Sequence, residues 1–232
     1  FYDGGKFNDL GKIESHVSGM IKNGMDFLDI GGYSSRPGAK EISENDEISR
    51  IIKTLQFIRK KFPELIISVD TFRSEVARVS LNEGADIIND ISAGTMDNKM
   101  FETISKYNCP YILMHMKGNP KTMQQSPSYN DIVIEIIQFL AERIKVAHEF
   151  GITDLIADPG FGFGKTTEHN FEILNNLEKF LILDIPTLTG FSRKSMIYNT
   201  LKTNSENALN GTSCLNTIAL TKGAKILRVH DV

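Results

Sequence analysis

Cysteine is scarce in this chain. Cys109 and Cys214 are the only two, they stand far apart, and their spacing suits neither a disulfide scaffold nor a zinc site. A reducing, cytoplasmic setting is the expectation. Charge of one sign is equally lacking: 26 basic residues oppose 29 acidic ones, a net of −3. No global field would therefore gather nucleic acid or an anionic membrane surface, and an anionic ligand must be held by a local site. No apolar run approaches the length of a membrane span, and no cleavable signal region opens the sequence. Asn210-Gly211-Thr212 matches a glycosylation sequon, read as accidental where no secretory signal accompanies it. No linker, repeat or low-complexity stretch divides the 232 residues, so a single domain over 1–232 is expected. The chain starts at Phe1 without a methionine and stops at Val232 directly after a strand pattern, and both ends read as trimmed.

What is present is an alternation of short β-branched or apolar runs with segments of helical period, the pattern of repeated βα units around a parallel sheet. The strand patterns are Met25 to Ile30, Leu65 to Thr71, Ala85 to Ile91, Tyr111 to Met116, Asp154 to Asp158, Pro186 to Phe191 and Ala224 to His230. The clearest helix is Asp131 to Phe150, where Ile132, Val133, Ile136, Ile137, Leu140, Ile144 and Ala147 recur at helical spacing. Ser43, with Asp46 and Glu47 behind it, opens another, because a hydroxyl and nearby carboxylates satisfy the free amides and suit the dipole of a helix start. Further helices are expected near Leu10 to Lys22, Ser74 to Asn82, Lys99 to Lys106, His169 to Asn176 and Ala208 to Lys222. Such a series folds either as an open doubly wound sheet or as a barrel. A barrel spreads its reactive side chains over the C-terminal ends of many strands, whereas an open sheet concentrates them where strand order reverses.

Here nearly every strand pattern ends in polar residues: Asp29-Ile30-Gly31-Gly32, Asp70-Thr71, Asn89-Asp90, His115, Asp158-Pro159-Gly160, Ser192-Arg193-Lys194 and Arg228-Val229-His230-Asp231. That spread favours the barrel. Alternation puts Ile226, Arg228 and His230 on one face of the last strand. Arg228 and His230 then either make structural ion pairs or form an anion site with Lys194, because the loops after the last strands of such barrels frequently bind phosphate. Asp70, Asn89 and Asp158 share parity with inward positions, and each alone is as readily a satisfied structural group as a ligand. Together with Lys194 they suit a flat, polar heterocycle. The run from Asp158 to Thr166 fails as a nucleotide loop on spacing, and reads as a turn that lets backbone approach a ligand closely. Ser34-Ser35-Arg36-Pro37-Gly38 is plain surface or a mobile lid. His16 and His148 fall within helices, and Met114 and Met116 flank His115 in a strand as packing residues.

These motifs, in order along almost the whole chain, resemble the dihydropteroate synthase family: Phe1-Tyr2-Asp3-Gly4-Gly5, the Asp29 and Arg36 segments, Val69-Asp70-Thr71, Ile88-Asn89-Asp90-Ile91, Met114-His115, Asp158-Pro159-Gly160, Ser192-Arg193-Lys194-Ser195 and Arg228-Val229-His230-Asp231-Val232. The resemblance implies an α/β fold, a (β/α)8 TIM barrel, with its first strand upstream of Phe1 and its last helix beyond Val232. It implies condensation of a pterin methyl diphosphate with p-aminobenzoate, releasing diphosphate. It assigns Asp70, Asn89, Met114, Asp158, Phe163 and Lys194 to the pterin. Arg228 and His230 go to the diphosphate, and Asp158, Lys194, Arg228 and His230 carry the catalysis. Phe1, Ser35, Arg36, Pro37, Ser192 and Lys194 go to p-aminobenzoate. It also implies Mg²⁺ as cofactor, with a ligand upstream of Phe1, and a homodimer. Tyr33 stands where glutamate is common in the family, and Ser35 where threonine is common. Two other readings remain: a methyltransferase barrel carrying methyltetrahydrofolate, which needs no diphosphate site, and a non-catalytic pterin-binding barrel.

Overall fold

The computed structural model describes residues 9–35, 39–120, 122–125 and 127–232. Its elements follow the expected alternation: α1 (Leu10–Lys22), β1 (Phe27–Gly31), α2 (Glu44–Lys61), β2 (Ile66–Asp70), α3 (Ser74–Asn82), β3 (Ile87–Asp90), α4 (Met100–Ser105), β4 (Tyr111–Met114), α5 (Ile132–Glu149), β5 (Leu155–Asp158), α6 (Thr167–Asn175), β6 (Leu188–Thr189), α7 (Ser195–Thr200), α8 (Leu209–Thr221) and β7 (Ile226–Leu227). Short 3₁₀ turns cover Leu177–Leu183 and Ser205–Asn207.

Local chemistry sets the helix starts. The Asp9 carboxylate accepts from the Lys12 amide at 3.0 Å, the Ser43 hydroxyl from Asp46 at 3.1 Å, and the Asp131 carboxylate from Ile134 at 3.0 Å. Helix α2 also carries Glu44, Asp46 and Glu47 in its first turn and Arg59, Lys60 and Lys61 in its last, matching charge to the dipole at both ends.

Strands β1 to β5 form one parallel sheet in sequence order, and β6 pairs with β7 in parallel. A bridge between Ala157 and Thr187 carries the sheet from β5 toward β6. Strand order never reverses, which removes the doubly wound alternative. The ring comes round on itself: Arg228, just past β7, donates to Asp29 on β1 and Asp70 on β2. Inside, Ile87, Ile112, Ile156 and Leu188 pack together with Phe27 and Ile226. The larger apolar cluster lies between the strands and the surrounding helices. This is a barrel packed as a core rather than a pore, with every strand's C-terminal end at one mouth.

The last two strands are shorter than the expected Pro186 to Phe191 and Ala224 to His230. Regular pairing is confined to two residues in each, although the Lys225 and Arg228 amides still donate to Thr187 and Thr189 carbonyls, at 2.9 and 2.8 Å. Beyond those bonds the chain turns into the mouth.

Candidate active site

Asp29 sits inward on β1 with the parity of Phe27, and its carboxylate reaches across the ring closure. Oδ2 accepts from Arg228 Nε at 2.6 Å and from Asn89 Nδ2 at 3.2 Å. Asp70 Oδ2 takes Arg228 Nη2 at 3.0 Å. Of the two readings open for Arg228, the structural ion pair is the one made among the described residues. Burial works against the guanidinium charge, but Asp29, and then Asp70, hold its pKa above the ordinary value. Burial pushes Asp70 up to about 7, with Arg228 opposing and the charges of Asp29 and Glu47 adding to the rise.

Asp158 ends β5 almost fully buried. Burial raises its pKa, opposed first by the Gly160 amide, which donates to Oδ1 at 2.7 Å, and then by the cations Lys194, Arg228 and Lys165. Burial draws Lys194 down to about 7, Asp158 pulling the other way and Arg228 adding to the depression. Lys194 Nζ donates to the Phe161 carbonyl at 2.5 Å and stands 5.0 Å from the centre of the Phe163 ring. Asp158, Lys194, Arg228 and Asp70 thus act on one another through a single mouth. His230 follows Arg228 in the chain and is turned to Ser192, whose hydroxyl lies 3.0 Å from Nδ1. Met114 and Phe163 are buried in one cluster with Ile91, Met116 and Met123, an apolar floor beside the polar rim.

The turn after β5 is shaped by contact. Gly160 has φ +73°, and a Cβ there would lie 1.9 Å from the His115 carbonyl oxygen, so neither the dihedral nor the space admits a side chain. Lys165 closes this turn from beneath: its Nζ contacts His115 Nδ1 at 3.0 Å and donates to the carbonyls of His115 and Phe163 at 3.3 and 2.9 Å. Burial, and next the neighbouring Lys165, press the His115 pKa down to about 2, and burial lowers that of Lys165 as well.

The loop after β1 is held at its base. Glu47 is buried, accepts from Thr71 Oγ1 at 2.8 Å and from Arg73 Nη1 at 2.7 Å, and the same guanidinium donates to the Ile42 carbonyl at 3.0 Å. Arg73 also lies 5.5 Å from the Tyr33 ring centre. Ser35 is half-buried on this loop. Phe1, Arg36 and Pro37, three of the residues expected around p-aminobenzoate, lie outside the described residues.

Sequence reasoning passed over Asp29, Lys165 and the Glu47–Arg73 pair as site residues. Asp29 had a usable signal, since it shares strand-end position and inward parity with the residues that were selected. Nothing local marks Arg73 as the partner of Glu47, 26 residues away.

The sequence matches the family described as pterin binding enzyme over residues 1–230. The dihydropteroate synthase of Escherichia coli K12 is 42% identical over 234 residues, spanning 100% of this chain and 82% of that protein. Among solved structures, Yersinia pestis dihydropteroate synthase with a sulfonamide drug complex superposes with a TM-score of 0.95 at 38% identity, covering 100% of this chain and 84% of that one. The Xanthomonas albilineans enzyme with 4-aminobenzoic acid gives 0.90 at 37% identity, covering 100% and 83%.

Proposed function

The chain belongs to the dihydropteroate synthases of the pterin-binding enzyme family, and from that premise we propose how the residues of its mouth divide the work. The fold is a TIM barrel, and the activity is that of a transferase in folate synthesis: a dihydropterin methyl diphosphate and p-aminobenzoate are condensed to dihydropteroate, with diphosphate released. We take the 232 residues as one domain.

In the proposed division, Asp158, Asn89, Asp70 and Lys194 hold the edges of the pterin, and Met114 and Phe163 face its ring. A buried carboxylate suits ring N–H and amino groups, and an ammonium suits the oxygen or nitrogen edge. Arg228 and His230 take the diphosphate. Ser192 and Lys194, with Ser35, Phe1, Arg36 and Pro37, surround p-aminobenzoate. Asp158, Lys194, Arg228 and His230 carry the chemistry. The bond between the pterin methylene and the diphosphate oxygen breaks, and its electron pair leaves with the diphosphate. The arylamine nitrogen lone pair forms the new C–N bond, and that nitrogen then gives up a proton. Fixed cations lower the barrier by meeting the leaving group's growing charge, while Asp158 stabilises the electron-poor ring. The reading is carried by one observation: Arg228 lies between Asp29 and Asp70 at the ring closure, and Lys194 reaches back to the Phe161 carbonyl in the turn that follows Asp158.

Mg²⁺ belongs to this proposal as well. Asp29 Oδ1 is buried without a partner among the described residues, but it is one oxygen where magnesium takes six. No group of three histidine, cysteine, aspartate or glutamate side chains among those residues is arranged to hold a metal. The residues at hand do not by themselves fit the ion, and no step is routed through it. No helix among the described residues is long and apolar enough to cross a membrane. The cytoplasm and a homodimer complete the proposal, the former from the scarcity of cysteine and the latter from the exposed apolar surface of α8.

The test is product formation from the pterin diphosphate and p-aminobenzoate, assayed with and without added Mg²⁺. Arg228→Ala is expected to lower kcat/KM by roughly 10²-fold, about 3 kcal/mol, as for removal of a preorganised charge-stabilising donor. Unchanged turnover would overturn the diphosphate assignment, and absence of product from the natural chain would overturn the activity.

A further inference from the structure

We propose that Asp29 is a positioning residue that aims Arg228 at the leaving diphosphate and ties it to Asn89 in the pterin pocket; this rests on the division of residues given above. A single oxygen, Oδ2, accepts from both groups, from Arg228 Nε at 2.6 Å and Asn89 Nδ2 at 3.2 Å. Asp70 takes Nη2 of the same guanidinium at 3.0 Å. Nε and Nη2 of Arg228 are thus each held by a carboxylate, and on the terminal edge Nη1 carries no carboxylate among the described residues. That terminal edge has the fork geometry that pairs bidentately with phosphate oxygens.

The anchor is stiff. Asp29 lies within β1, registered against Ser68 of β2, and its side chain is 14% exposed against 39% for Arg228. A long arginine fixed by a short side chain on a strand surrenders its rotamer freedom before the substrate arrives, so less is lost on binding and the charge is already aimed. Joining Arg228 and Asn89 through one oxygen also sets the distance between the group that reads the ring and the group that meets the leaving charge.

A competing role for Asp29 is simple charge balance, since Asp29 and Asp70 place two carboxylates around one guanidinium. The two roles predict opposite signs. If Asp29 only tempered the field, neutralising it would make the mouth more attractive to an anion. If it positions Arg228, neutralising it loosens the fork and weakens the anion.

The experiment is calorimetric titration of the full chain with inorganic diphosphate, comparing the natural protein with Asp29→Asn, Asp29→Glu and Arg228→Ala, each checked by thermal melting. Asp29→Asn is expected to bind diphosphate about tenfold or more weakly, the scale of a misplaced binding group. Asp29→Glu keeps the charge and the ion pair but changes the reach, so it folds and is likewise weakened. In steady state the KM for the pterin diphosphate rises in both, while that for p-aminobenzoate stays within about twofold, a split that general loosening of the fold would not produce. Diphosphate bound as tightly as by the natural chain, or more tightly, in either Asp29 variant overturns the positioning role. Failure of the natural chain to bind diphosphate, or equal binding by Arg228→Ala, overturns the underlying site assignment instead.

Discussion

Asp70 shows how a single residue in the mouth sets a balance between stability and function. Burial raises its folded pKa to about 7 despite the adjacent Arg228, whereas the ordinary value is 3.8. A carboxyl whose folded pKa stands above its unfolded one favours the fold most fully below the unfolded value, and that contribution is lost as pH climbs through the folded one. Between about pH 4 and pH 7 the ionising group therefore becomes steadily less welcome. Asp70→Asn is expected to raise the melting temperature at pH 8 by a few degrees, on the order of 1 kcal/mol, with the gain shrinking toward pH 4. A melt series over that range checks it, and a gain that grows on acidification would contradict the buried-carboxyl account. Residues of this kind were legible in part. Asp70, Asn89 and Asp158 were singled out because they close strand patterns at inward parity, and Lys194 because it follows the sixth strand pattern at the same mouth. That Arg228 could pair with a carboxylate was legible, but not which one, because Asp29 is 199 positions away and only ring closure brings it near.

At the scale of the element, the sequence was read best where caps and period agree. Helices α1 and α3 fall on the expected bounds, and α2 starts just after its Ser43 cap. Helix α7 was missed because six residues with only Met196 and Ile197 buried leave no period to read. The 3₁₀ segment Leu177–Leu183 exposes Leu181 and Ile182, which breaks the pattern a sequence reader relies on. The β5 turn was read as one that lets backbone approach a ligand closely; the approach seen at Gly160 is to the neighbouring strand end, where the His115 carbonyl fills the space a Cβ would need. Gly160 and Gly151 separate the two demands on such a glycine. Both have positive φ, +73° and +80°, but a Cβ at Gly151 meets nothing within 4 Å. Gly151→Ala is expected to cost about 1 kcal/mol from the dihedral alone. Gly160→Ala adds a backbone clash, on the order of 2–4 kcal/mol in all, and displaces the Asp158 carboxylate from the Gly160 amide. Chemical denaturation of the two variants, with pterin titration of the second, would refute this if their losses were equal.

Over the whole molecule, the barrel was readable from polar groups ending so many strands, and the unreversed strand order bears that out. What composition could not reveal is how the outer helices meet water. Helix α8 is rich in apolar residues, yet Thr212 and Ala219 are its buried positions, and Leu209, Ile218 and Leu220 stay 46%, 40% and 51% exposed. Leu201, at the end of α7, is 54% exposed, and α7 packs against α8. A helix apolar on more than one face is ordinarily covered, and exposed apolar side chains of this kind suit an association surface. A two-fold partner lets one patch cover itself, the commonest route to a closed oligomer. The barrel mouth is assembled by the strand ends, so α8 is free to serve a different role from the site. Sedimentation of the natural chain is therefore expected to give twice the mass of a single polypeptide at micromolar concentration, and the Ile218→Glu, Leu220→Glu double variant to sediment as a monomer with its secondary structure retained. A natural chain that stays monomeric, or a double variant that still pairs, would move the association surface away from α8.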